Sequence, residues 1–157
     1  MLTPIKRHEA MVSFSKDHHF GLLLVWKIRQ GLAKAIEPER ISKYVQFFFM
    51  EDLTKHFSDE EQLLFSRLPA GDFLRIQAET DHATIHQLVK SIGQHTTDKT
   101  LLVRLADELE KHIRFEEREL FNHLQKHISE AELEEIGTRM ANNSKDLDEN
   151  WKDNFWL

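Results

Sequence analysis

Apolar residues recur three and four positions apart along most of the chain, and that rhythm breaks where helix-stopping or capping residues stand. From about Met11 to Ala35, Leu22, Val25, Ile28 and Leu32 keep the spacing, and Pro38 then suits the first turn of a second helix. The second helix is expected from about Glu39 to Leu68, stopping at Pro69-Ala70-Gly71. A third starts behind the capping residue Asp72 and continues to roughly Gln94, with Leu74, Ala78, Ile85, Val89 and Ile92 on one stripe. Thr96-Thr97-Asp98 makes the next turn. A fourth helix spans about Lys99 to His127, with Leu102, Leu105, Leu109, Ile113, Leu120 and Leu124 inward. Ser129-Glu130-Ala131-Glu132 reads as the capped start of a short fifth helix reaching about Ala141. A polar, acidic tail from Asn142 closes on Trp151, Phe155 and Trp156, aromatics expected to fold back on the helices in preference to meeting a partner. No strand pattern, internal repeat or second domain is legible: residues 1–141 read as one domain and 142–157 as its tail. Four long helices on short turns predict an all-α fold, an up-down-up-down antiparallel four-helix bundle with a short C-terminal helix or tail.

Composition narrows the chemistry. A length of 157 residues is enough for one domain with a sizeable core. The net charge of -6, with no block of Lys or Arg, argues against a nucleic-acid partner. The absence of cysteine excludes disulfides, thiolate metal sites and cysteine nucleophiles. The apolar runs around Phe20–Trp26 and Phe47–Met50 are too short to span a bilayer, and the first residues lack a signal-peptide core, so a soluble cytoplasmic protein is expected. Histidine, by contrast, is abundant at 10 copies.

Those histidines fall in the apolar stripes. The first helix carries His18 with His19 beside it, the second His56 and Glu60, the third His82 and His86, the fourth His112 and Glu116 with Glu117 next. Residues four apart share a helix face. In an antiparallel bundle, at about 1.5 Å rise per residue, all of these fall within roughly 10–20 Å of one end. His18 is preferred to His19 because it is in register with Leu22, Val25 and Leu32. Imidazoles and carboxylates aimed into a core need a partner, and a metal ion is one. Five imidazoles and two carboxylates suit two ions bridged by Glu60 and Glu116: if His82, His86 and His112 hold one, the two carboxylates and a bridging oxygen complete six ligands, while His18 and His56 with the same bridges give five and leave one position open. Imidazole with carboxylate and no thiolate suits iron or manganese, and zinc also fits. Asp17 and Asp81 stand next to ligand histidines and are placed to orient imidazoles. His123 and His127 read as a solvated pair at the bundle end, and His8 and His95 as surface residues.

The ordered set His18, His56-x-x-x-Glu60, His82-x-x-x-His86 and His112-x-x-x-Glu116 resembles the hemerythrin-like, or HHE cation-binding, domains over roughly Lys6 to Ile128. Flanking residues agree, including Asp17-His18-His19, Glu60-Glu61 and Phe115-Glu116-Glu117. The resemblance implies an oxygen-bridged di-iron centre, with the open position on the iron held by His18 and His56. Oxygen-carrying relatives place an aspartate five residues after the last histidine, where this chain has Glu117; other bacterial relatives and an iron-sensing branch use a glutamate four after, here Glu116. At about 100° per residue, Glu116 lies about 40° from His112 and Glu117 about 140°, so Glu116 is preferred.

Three functions are consistent with that site. The first is reversible binding or sensing of O2 or NO. The second is redox turnover of peroxide or NO, or iron handling, with a redox partner. The third is a bundle that metal only staples. Neither a nucleic acid nor a membrane is an expected partner, and the chain is read as a monomer or homodimer.

Overall fold

The computed structural model describes residues 7–140 and 151–157. Five helices account for nearly all of it, and no strand occurs among the described residues. Helix α1 is Glu9–Ala33, two residues earlier at its start than the apolar rhythm suggested, because His8 caps it: the His8 ring nitrogen accepts from the Ala10 amide at 3.0 Å. It ends before Ala35, whose φ of 55° turns the chain left-handed, and the Ile36 amide closes back on the Gly31 carbonyl at 2.9 Å. Helix α2 covers 38–67, α3 is Phe73–Gln94, α4 covers 99–127 and α5 is Glu130–Met140. Asp72 and Asp98 cap α3 and α4 through hydrogen bonds from the next amides, and Ser129 accepts from the Glu132 amide ahead of α5. Ala141 and the polar stretch from Asn142 to Asn150 lie outside the described residues.

The helices pack in a ring, α1 on α2, α2 on α3, α3 on α4 and α4 on α1, with α5 laid against α1. The molecule is an all-α helical bundle. No helix among the described residues is long and apolar enough to cross a membrane.

Its apolar interior is divided in two. One cluster gathers Leu24, Ile28, Ile41, Val45, Leu53, Phe57, Ile85, Ile92, Leu105, Leu109 and Ile113. The other gathers Met11, Phe14, Leu64, Phe65, Ala78, Leu120, Phe121 and Ile136. On every long helix one inward polar residue falls between members of the two clusters. His18 sits between Phe14 and Leu24, Glu60 between Phe57 and Leu64, His82 between Ala78 and Ile85, Glu116 between Ile113 and Leu120. A buried polar layer therefore lies between the two clusters.

At the far side of the first cluster the aromatic tail does pack back. Phe155 and Trp156 are buried against Tyr44, and the Lys27 ammonium stands 3.9 Å over the Trp156 ring. Arg40 grips Asp153 with two hydrogen bonds of 2.6 and 3.0 Å.

Candidate metal centre

Helices α2 and α4 are not regular along their length. Each widens to a π turn immediately at its inward glutamate, Glu60–Leu64 in one and Glu116–Leu120 in the other. A π turn adds a residue to the turn and advances the register of everything after it. The inward set becomes Glu60, Leu64, Phe65 and Leu68 on α2, and Glu116, Leu120, Phe121 and Leu124 on α4. The two segments carry the same pattern, Leu-x-Lys-His-x-x-x-Glu-Glu-x-x-Leu-Phe-x-x-Leu, from Leu53 and from Leu109. The expectation of no internal repeat is thus corrected. The repeat is one short segment on alternate helices, and the surrounding helix text hides it.

Six buried side chains meet in the polar layer: His18, His56, Glu60, His82, His112 and Glu116. Their ligand atoms form two groups, His18, His56, Glu60 and Glu116, and Glu60, His82, His112 and Glu116, in each of which all atoms lie within 4.8 Å of one another. Both glutamates belong to both groups. Nε2 of every imidazole faces inward. His18 Nε2 donates to Glu116 Oε1 at 3.1 Å, and His112 Nε2 lies 2.9 Å from the same oxygen. His56 Nε2 lies 3.0 Å and His82 Nε2 3.5 Å from Glu60 Oε1, while His82 and His112 bring their Nε2 atoms to 3.1 Å.

Every Nδ1 faces outward onto a carboxylate. His18 donates to Glu117 at 2.7 Å, His56 to Asp17 at 3.1 Å, His82 to Glu61 at 2.9 Å and His112 to Asp81 at 3.0 Å. Such a partner fixes the ring and leaves Nε2 as the donor toward a metal. Asp17 and Asp81 do orient imidazoles, but across to the next helix: Asp17 serves His56, not its neighbour His18, and Asp81 serves His112, not His82. Sequence reasoning missed Glu61 as a partner and weighed Glu117 only as a bridging acid. The doubled Glu60-Glu61 and Glu116-Glu117 were the available signal, one acid for the centre and one for the ring behind it.

Burial separates the alternatives in two cases. His18 is buried and His19 exposed; Glu116 has no exposed surface, whereas Glu117 is half-buried. His86 is the expected residue that the structure does not bring in. It is exposed and belongs to neither group. Phe57 fills that side of the layer: its ring stacks on His82 at 3.9 Å and meets His86 edge-on at 5.7 Å, with Phe49 edge-on to His86 at 5.0 Å. The bundle-end histidines are also clear of the centre, His123 bonded to Asp72 at 2.7 Å and His127 to the His123 carbonyl at 2.9 Å.

The layer is charged and incompletely paired. Burial opposes an imidazolium at His18, but hydrogen bonds to Glu116 and Glu117 raise it to about 9. At His112 burial is likewise outweighed, by the Glu116 charge and the Asp81 and Glu116 hydrogen bonds, and the ring is lifted to about 10. Burial would push the Glu116 carboxyl up, yet the His112 charge and the hydrogen bonds around it hold it well below the usual range. A metal ion binding here would have to displace the protons these rings hold. Those protons do not complete the layer. His56 Nε2, both Glu60 oxygens and Glu116 Oε2 are buried without a hydrogen-bond partner. Buried polar atoms are rarely left so. Four atoms of this kind converging on one point fit divalent cations bridged by two carboxylates.

The hemerythrin HHE cation-binding domain model matches residues 11–124. The chain belongs to that family. No curated protein and no solved structure matches it significantly. Cation binding is the property the family description carries, and the two ligand groups lie wholly inside the matched residues.

Proposed function

We propose that the chain holds two iron ions, one between His18 and His56 and one between His82 and His112, with Glu60 and Glu116 bridging, and that it reversibly binds O2 or NO at the first. Iron suits imidazole and carboxylate donors and supplies the redox chemistry such a ligand needs, though manganese or zinc would accept the same atoms. The observation that carries the choice of ion is a small cavity. It touches His18, His56, His112 and Glu116, and its remaining wall is Asp17, Gly21, Leu53, Phe57, Leu109 and Ile113. It does not touch His82, whose face is covered by Phe57. Its volume of about 10 Å³ is on the scale of a single water, so the ligand proposed for it is among the smallest molecules. The chain's own part is to hold the four rings by their Nδ1 hydrogen bonds, to exclude bulk water with Leu53, Leu109 and Ile113, and to keep the Glu116 carboxyl ionised.

Redox turnover of peroxide or NO is the second reading. It is favoured by the two-histidine ligation of each ion, which leaves more than one position unfilled, and it would require an electron-donating partner. Cytoplasmic location belongs to the same proposal. The test is metal content on anaerobically purified protein, with absorption spectra before air, after air and after its removal. Two irons per chain with a band that comes and goes with oxygen support binding; a band that air destroys for good supports turnover. Zinc, one ion, or no metal in a folded chain sinks the di-iron proposal.

A further inference from the structure

Arg7 stands ahead of α1 and before the family match begins, yet its side chain reaches α4 beside the buried layer. Its Nη2 donates to the Glu117 carbonyl at 2.8 Å and lies 3.5 Å from Glu117 Oε2. Its guanidinium carbon lies over the Phe121 ring, 5.2 Å from the centroid. Both of those residues hold His18. Glu117 Oε1 accepts from His18 Nδ1 at 2.7 Å, and the Phe121 ring stacks on the imidazole at 5.3 Å with 7° between the planes. We infer that Arg7 is a positioning residue for His18, securing that ring at its edge through Glu117 and at its face through Phe121. The inference rests on the metal-centre reading above, and it adds a residue outside the family match to the support of the ion beside the cavity.

The geometry suits arginine. One nitrogen meets a carbonyl and a carboxylate of the same residue while the flat face rests on a ring, and an ammonium has no flat face. Nη1 is buried without a hydrogen-bond partner, and the π face of Phe121 attracts the charge without one. The other three rings lack this support. Among the described residues Asp17, Glu61 and Asp81 pair only with their imidazoles, and Glu117 alone of the four outer carboxylates also meets an arginine. The internal repeat agrees. Arg7 stands eleven residues before His18, and eleven before His82 stands Gly71. Phe65, the counterpart of Phe121, meets His82 at 5.4 Å but tilted by 34°.

The test uses the full chain labelled with 15N-histidine, freed of metal by chelation, followed by NMR and then titrated with Co2+. R7A is compared with R67A, which removes the ion pair of Arg67 with Glu132 and leaves every layer contact in place. In the metal-free chain R7A should shift the His18 ring signals and speed exchange of the Nδ1 proton about fivefold, with His56, His82 and His112 unmoved. One cobalt should then bind R7A as it binds wild type and the other about tenfold more weakly. R67A should match wild type in both readouts, and helical circular dichroism should not change. Should R7A lose helicity, R7K takes its place, since it keeps the charge and loses the flat face over Phe121. An unmoved His18 signal overturns the inference, whether or not metal binds. Equal shifts at all four histidines, or equal weakening of both cobalt ions, overturn it too, because they mark a loosened bundle. A wild-type chain that takes up no cobalt sinks the metal centre, and the His18 signals of the metal-free chain still decide what Arg7 holds.

Discussion

The two halves of the bundle, α1 with α2 and α3 with α4, bring the same groups to the centre and differ in what covers it. Each half gives an Asp-His pair on its first helix, Asp17-His18 and Asp81-His82, and a His-x-x-x-Glu-Glu on its second. The outer contacts repeat as well. Each aspartate holds the histidine of the second helix in its own half, and each outer glutamate holds the first-helix histidine of the other half. Ligation is therefore close to two-fold. The cover is not. Three residues after His18 stands Gly21, and three after His82 stands Ile85. One residue after His56 stands Phe57, and one after His112 stands Ile113. The Phe57 ring lies flat on His82, and beside Gly21 and Ile113 the cavity remains. Equal ligand groups with unequal cover leave the group around His18 and His56 beside a cavity and the His82 ring under a phenyl.

The largest effect should come from attacking what the halves share. Glu60 and Glu116 belong to both ligand groups, so E60A and E116A should each empty both positions, with affinity falling on the order of a hundredfold or more. His56→Ala should also lower metal content sharply. The outer carboxylates, tested by E61Q or D81N, should cost less, about 10–100-fold. H123A, outside the layer, should leave metal per chain unchanged. Retention of one ion in E60A and the other in E116A would show that the glutamates do not bridge.

The next effect tests the cover. A Cβ added at Gly21 would stand 2.8 Å from Ile113 Cδ1, so G21A must push that methyl, and the space open to it is the cavity. Both metals should stay, while the response to NO or O2 weakens roughly tenfold from loss of room alone. An unchanged ligand response would place binding on the His82 side. The converse change, I85A, removes a fully buried side chain and should cost about 2–4 kcal/mol in chemical denaturation.

How much of this was legible follows from period. A 3.6-residue rhythm with Asp72, Asp98 and Ser129 as caps placed the helices to within a few residues, because stripe and cap are local signals. Six of the seven expected site residues meet in one layer, since i and i+4 share a face whatever the tertiary packing. Two things were not local. His86 satisfies the same spacing as His112 and Glu116, but only packing shows that Phe57 takes the place beside His82. The pairing of Asp17 with His56, or Glu61 with His82, joins neighbouring helices, and no spacing along one helix encodes it. The π turns at Glu60 and Glu116 show in the sequence only as a one-residue slip in the apolar rhythm, which the three-to-four spacing of the helix already tolerates.

The smallest effect sharpens the comparison at its edge, where Asp52 in one half answers Glu108 in the other. Burial and the Asp17 charge hold Asp52 at about 6 in the folded chain, above its ordinary 3.8. The folded state then binds more protons than the unfolded one between those values, so its stability falls as pH rises from about 4 through 6. Above 6 the charge is present in both states and the full cost of burying it is felt. D52N lacks that charge. After discounting for a side chain still partly in water, it should be more stable than wild type by roughly 1 kcal/mol at pH 7.5, or about 2–4 °C in thermal unfolding. The gain should shrink below pH 5, where the wild-type carboxyl is protonated. If D52N is instead less stable at pH 7.5, the carboxylate is held by favourable contacts, and its crowding with Asp17 is not the source of its raised pKa.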